Sequence, residues 1–227
     1  MDMASQEPLI RPPLQRRSQE SLGRVMQAGL ELLKEVGVDG FTLQEVSRRA
    51  GVSIGSIYAR AASKDALILA IYDQTMEEMV QEEERIKRDA TREGLAVREL
   101  LEMLVTDMAH VMLDNAPFLR VFMRQAPFDS EIWRRGAKHS QVFADVFEQS
   151  LLLHAAEFSH PNPELAIDVA YRFVYCTLAR RITHGPVFES ARPVSDIELV
   201  HELGRAVADY LVGPEIAAPK RARRRKA

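Results

Sequence analysis

The 227-residue sequence holds a single cysteine, Cys176, so no internal disulfide can staple the fold. No apolar run approaches the roughly 18 residues that a membrane span needs. The opening stretch, MDMASQEPLIRPPLQRR, has no apolar core of the signal-peptide kind. A cytoplasmic protein with no membrane partner is therefore expected. The six histidines show no His-Glu-x-x-His spacing, and one cysteine cannot make Cys-x-x-Cys, so no metal site is expected. Glycine-rich phosphate loops and catalytic constellations are missing too. Neither an enzyme nor a cofactor is expected. No stretch alternates apolar and polar residues cleanly between turn signals, so no strand is predicted. No internal repeat appears.

What is present is ordinary globular material: 46% hydrophobic and 28% charged residues, enough for one or two domains with a sizeable core. The net charge of −3 conceals a partition: residues 1–72 carry +1, residues 73–217 carry −10 and residues 218–227 carry +6. An acidic body repels nucleic acid, so a nucleic-acid site belongs near one end.

Residues 1–17 contain three prolines and no periodicity, and read as a flexible arm. From Ser18 the signal is helical: Leu22, Val25, Met26, Gly29, Leu33 and Val36 recur at steps of three and four. Gly37 and Asp39-Gly40 end that helix. Thr42 opens TLQE, a capping box with Glu45 in the reciprocal position. A short helix follows with Leu43, Val46 and Ala50 on one face, and Gly51 stops it. Ser53 and Ser63 cap the next two helices. Further helices are predicted over 64–89, 95–114, 117–126, 130–157, 163–185 and 196–212, with Gly and Pro between them.

Residues 51–67, GVSIGSIYARAASKDAL, are nearly bare of bulk. At 100° per residue, Ile54, Ile57, Tyr58 and Ala61 share one side, and Gly55, Ser56, Ala59 and Arg60 share the other. The first side can pack on the preceding helices. The second suits a DNA major groove, only about 12 Å wide, where bulky side chains would hold the backbone off the bases. Ser53 and Ser56 can bond phosphates or bases. Tyr58 and Arg60 can reach phosphates. With helix 43–50 and the turn Gly51-Val52-Ser53, this makes a helix-turn-helix. Arg48, Arg49, Arg60 and Lys64, against Glu45 alone, give residues 41–64 a local charge of +3. The same pattern also suits a small-residue helix packed inside a bundle.

The segment FTLQEVSRRAGVSIGSIYARAASKDALILAIYD resembles the DNA-binding domain of the tetracycline-repressor (TetR) family of transcriptional regulators, and the likeness covers about residues 18–72. The resemblance implies an all-α fold: a three-helix helix-turn-helix domain over 18–63, then a helical ligand-binding and dimerisation domain over 64–213. It implies that Thr42, Ser53, Gly55, Ser56 and Tyr58 touch double-stranded DNA and that Lys64 holds a phosphate. Gln44 and Arg60 complete the candidate set. One departure stands out. The family places an aromatic at Ala61 and Pro or Gly at Ala62. A missing core ring costs on the order of 3–5 kcal/mol, so a neighbour is expected to fill the space.

Beyond residue 72 the signals are weaker. Met103, Phe118, Phe122, Trp133, Phe143 and Phe147 are candidates either for a packed core or for an apolar effector pocket. Ile197, Val200, Gly204, Val207 and Leu211 step as a helix seam, with a comparable stripe at Ala166, Ala170, Phe173 and Thr177. Both stripes suit internal packing or a homodimer interface, and family likeness favours the dimer. Cys176, in YRFVYCTLA, reads as core. The basic stretch in residues 214–227 reads as a disordered tail adding nonspecific attraction to DNA. The function expected is a dimeric, ligand-responsive regulator, a repressor released from a palindromic operator by a small apolar or amphipathic molecule. The alternative is a helical small-molecule binding protein that has lost specific DNA binding.

Overall fold

The computed structural model describes residues 16–90 and 94–214. The flexible arm expected over 1–17 lies outside the described residues apart from Arg16 and Arg17. The basic tail lies outside them beyond Pro214. Among the described residues there is no strand, and the chain has the all-α class predicted. The helices are α1 (Arg16–Gly40), α2 (Leu43–Ala50), α3 (Ile54–Tyr58), α4 (Lys64–Ala90), α5 (Val97–Asp114), α6 (Ala116–Gln125), α7 (Ser130–Leu151), α8 (Pro163–His184) and α9 (Asp196–Val212). No helix of the described residues is long and apolar enough to cross a membrane.

The first three helices form a head. Leu33 of α1, Phe41, Val46 of α2 and Ile57 of α3 are buried in its core. Leu67 and Ile71 of α4 are buried with them. Gly29 admits that approach, because a Cβ there would lie 2.4 Å from Ile71 Cδ1. α1 kinks at Gly37, whose φ of 69° is one that β-carbons disfavour. In the body, α4 packs on α5 and α7, while α9 lies along α5 and α8.

The caps explain the boundaries. Thr42 Oγ1 accepts from Glu45 N at 3.3 Å. The expected reciprocal half of that box is not used, because the Glu45 carboxylate turns to Arg48 and Arg49 instead. Ser195 and Glu198 do form a full capping box at the start of α9. Asp129 caps α7 and Asn162 caps α8. The long helix predicted over 130–157 stops at Leu151 and continues as a 3-10 segment, Leu152–Glu157. Buried Ser150 donates its hydroxyl to Val146 O at 2.7 Å, and such back-bonding weakens a helix end.

The stripe assigned to a dimer surface is largely internal. Val207 and Leu211 are 1% and 0% exposed within one chain, and Val200, Ala166 and Ala170 are buried as well. Gly204 sits where a Cβ would meet the backbone of Glu102 at 3.4 Å, so it serves close packing of α9 on α5. Only Phe173 and Ile197 of the predicted set are exposed, with Thr177 half-buried. Cys176, read as core, lies exposed on α8.

Candidate functional site

Two places in the chain bring functional side chains together. The first is the outer surface of the head. The α2–α3 turn is fixed by its backbone: Gly51 adopts φ 60° at the end of α2, and Val52 N donates to Ser47 O at 3.2 Å. Ser47 Oγ donates back to Val52 O at 2.6 Å, and Arg24 Nε of α1 donates to Ala50 O at 3.1 Å. This frame leaves Thr42, Gln44, Ser53, Gly55, Ser56 and Tyr58 exposed together. Ser53 Oγ caps α3 by accepting from Ser56 N at 3.2 Å, and the two hydroxyls lie 2.8 Å apart. The α3 surface is as bare as its sequence indicates, with Ile57 turned in and Tyr58 turned out.

The cations are not arranged as expected. Arg60 is half-buried rather than on the outer face, and its guanidinium donates to Ser18 Oγ at the start of α1. Lys64 Nζ donates to Val38 O at 2.9 Å, tying the start of α4 to the end of α1. Glu45 grips Arg48 with contacts of 2.8 and 2.7 Å and Arg49 with one of 2.8 Å. Arg49 also pairs with Glu35 at 2.8 Å. The two guanidiniums pull the Glu45 carboxyl down to about 2. The side chain of Arg48 remains 71% exposed, so its charge can still turn outward.

No neighbour fills the room left at Ala61. A cavity of about 140 Å³ remains there, bordered by Ser18, Leu22 and Val25 of α1, Ile57, Arg60 and Leu67. Ala61 is itself buried. The expected repacking has not occurred, and Arg60 and Ser18, which bond each other, stand at the border of the space.

The second place is a cavity of about 320 Å³ in the body. α4 contributes Tyr72, Met76 and Met79, and α6 contributes Leu119, Phe122 and Met123. α7 contributes Ile132, Trp133, Gly136, His139, Ser140 and Phe143, while Tyr175 enters from α8. Of the predicted ligand residues, Phe122, Trp133 and Phe143 are here. Phe118 is not, because it lies fully buried behind Phe122 with ring centres 4.9 Å apart. Phe147 borders a separate void of about 10 Å³. Met103 packs half-buried against the core on α5.

Among the lining residues outside the predicted set are Tyr72, Met76, Met79, His139 and Tyr175. Tyr72 and Met76 stand one turn apart on α4, a spacing that was legible. His139 has no sequence signal beyond the metal-ligand spacing that it lacks. Among the described residues, no Lys, Arg, Asp or Glu lines the cavity. Arg135, just outside, is held by Asp73 of α4 and by Glu131 at 2.6 Å. Burial pushes the Tyr72 and Tyr175 hydroxyls up from their ordinary range and holds the His139 ring below its own. The His139 ring stands edge-on to Tyr72 with centres 6.0 Å apart.

Residues 25–71 match the model of bacterial regulatory proteins of the tetR family. A search of curated proteins found no match. Among solved structures, the regulator FadR from Bacillus subtilis, in complex with stearoyl-CoA, is 16% identical with a TM-score of 0.61, over 86% of this chain and 100% of that one. A tetR-family regulatory protein from Rhodococcus RHA1 is 16% identical with a TM-score of 0.63, over 86% and 98%. A transcriptional regulator from Aquifex aeolicus VF5 is 20% identical with a TM-score of 0.59, over 82% and 97%. Over residues 25–71 the chain therefore carries the signature of bacterial regulatory proteins of the tetR family, and along its length it shares the fold of these solved regulators.

Proposed function

We propose that the protein is a dimeric cytoplasmic repressor that binds double-stranded DNA through α2 and α3. A small apolar or amphipathic molecule in the body cavity releases it. One observation carries this reading. α4 belongs to both places: Leu67 and Ile71 close the core of the head, and Tyr72, Met76 and Met79 wall the cavity. A ligand that separates α4 from α7 moves the base on which the head rests. It shifts the balance only by its differential affinity for the two arrangements.

The outward faces of α8 and α9 support a two-fold interface. Phe173 is 50% and Ile197 is 84% exposed there. Phe173 packs edge-on against Tyr210, with ring centres 5.7 Å apart, and so presents a preformed aromatic surface. A two-fold dimer reads a near-palindromic operator.

The rival reading, a helical binding protein without specific DNA recognition, draws on Arg60 and Lys64 being engaged inside the head. Selection of bound DNA from a random pool, repeated with an apolar compound library, separates the two. Recovery of a palindromic sequence that compounds release supports the repressor. A pool that stays random supports the rival.

A further inference from the structure

The border of the head cavity is of two chemical kinds. Leu22 and Val25 of α1, Ile57 of α3 and Leu67 of α4 make it apolar, while Ser18 and Arg60 bring a charge. The Arg60 guanidinium donates to Ser18 Oγ, so the charge stands where Ser18 meets the space. Ser18 and Val25 are two turns apart on α1, about 10 Å along its axis. The charged pair therefore marks one end, and the apolar residues extend from it. A guanidinium has five N–H donors, and the bond to Ser18 uses one. Among the described residues no carboxylate pairs with Arg60, although the side chain is half-buried. A cation drawn out of water without a partner costs free energy. The neighbouring cations are committed, since Arg24 donates to Ala50 O and Lys64 to Val38 O. The acids nearest in sequence, Glu20 on α1 and Asp65 on α4, are exposed. Each lies two residues, about 200° of helix turn, from the lining residue Ser18 or Leu67.

We propose that this cavity is a ligand site separate from the one in the body, and that it takes a small aromatic carboxylate. The ring lies among Leu22, Val25, Ile57 and Leu67, and the carboxylate meets the Arg60 guanidinium. Volume sets the size: apolar cavities of roughly 150 Å³ hold one benzene ring, and this one measures about 140 Å³. The unpaired guanidinium sets the charge. A carboxylate conjugated to a ring is flat, and the planar guanidinium fork accepts it with two parallel hydrogen bonds. The Ser18 hydroxyl, which now accepts from Arg60, can turn to donate to the same carboxylate. Such an occupant touches α1, α3 and α4 at once. It bears on the head itself, without passing through the body.

The probes are benzoate, benzamide and acetate, titrated into the full-length protein at pH 7.5 and followed by calorimetry. Benzamide keeps the ring without the charge, and acetate keeps the charge without the ring. Benzoate should bind at least about tenfold more tightly than either, the size of one charge-assisted hydrogen bond. Arg60→Met should erase the preference for benzoate over benzamide. Ala61→Leu, which fills the space, should abolish binding of both. Should either variant fail to fold, the unaltered protein still decides. Benzoate should shift the methyl NMR signals of Val25, Ile57 and Leu67 and leave the fluorescence of Trp133, in the wall of the body cavity, unchanged. Equal binding of benzamide would overturn the proposal, as would undiminished binding to folded Ala61→Leu. So would benzoate signals confined to the body, or no saturation by benzoate below about 10 mM, a weak affinity for a ligand of its size.

Discussion

Leu211 and Phe173 give opposite predictions that separate internal packing from assembly. Leu211 is wholly buried beneath α9, in the core where α9 lies along α5 and α8. Truncating a buried leucine to alanine removes its transfer free energy and leaves a cavity, at a cost of about 2–5 kcal/mol. For a domain of this size each kcal/mol lowers Tm by roughly 2–4 °C. Leu211→Ala should therefore melt about 4–20 °C below the parent while sedimenting as the same assembly at moderate temperature. Phe173 is half exposed and meets Tyr210 only along an edge. Phe173→Glu should cost the single chain little, yet it sets two carboxylates against each other across a two-fold axis. Sedimentation should show monomer, and Tm should lose its dependence on protein concentration. Dissociation caused by Leu211→Ala, with Tm unchanged, would refute the assignment and return the α9 seam to the interface.

Four other outcomes are expected. Ala61→Leu should raise Tm by several degrees, because a cavity of 140 Å³ at about 24 cal/mol per Å³ represents up to about 3 kcal/mol, of which a leucine recovers a part. An unchanged or lower Tm by calorimetry would show that the space cannot accept an apolar group. Glu45→Gln should free Arg48, while Arg49 keeps its pair with Glu35, and steepen the salt dependence of DNA binding by about 0.9 in log K per log salt for each new phosphate contact. In the parent, the Glu45 carboxyl should titrate near about 2 by NMR, and its folded pKa lies below the unfolded value, so its contribution to stability holds above about pH 4 and fades toward pH 2. A midpoint near 4 would mean that the Arg48–Glu45–Arg49 cluster does not persist in solution. Arg60→Ala should flatten the salt slope by roughly 2 in a dimer, and Ser18→Ala should not, because Arg60 must leave Ser18 to reach a phosphate. An unchanged slope in isotherms from about 50 to 200 mM salt would remove Arg60 from the backbone contacts.

The head was legible because its signals are local. Thr42, Ser53 and Ser63 each accept a backbone N–H at a helix start, and Gly51 stops α2 with a left-handed residue. Such signals depend on a few neighbouring residues and survive any tertiary context. The α9 stripe was legible as a stripe, but a step of three and four says which face is buried and not which chain covers it. Only the meeting of Gly204 with Glu102 settles that, and nothing near Gly204 in sequence announces it. The cavity was half legible for a related reason. Phe122, Trp133 and Phe143 lie in the middle helices where apolar bulk collects. Tyr72 and Tyr175 come from α4 and α8, about a hundred residues apart in sequence, and only the packing of the body brings them to one wall. The ion pairs of Arg49 and the inward turn of Arg60 depend on rotamers that a charge count does not see.

The closeness of Gly29 to Ile71 bears on how such proteins can be recombined. A hybrid that joins this head to another regulator's body at residue 63 would take Leu67 and Ile71 away from the core they close. It would offer Gly29 a stranger's side chain where 2.4 Å separates a virtual Cβ from Ile71 Cδ1. A seam placed after Ile71 keeps that fit and passes Tyr72 to the incoming half, where it meets whatever ligand that half has inherited. Grafting specificity is therefore a choice of one peptide bond within a single helix, and the residues on either side of it answer to different masters.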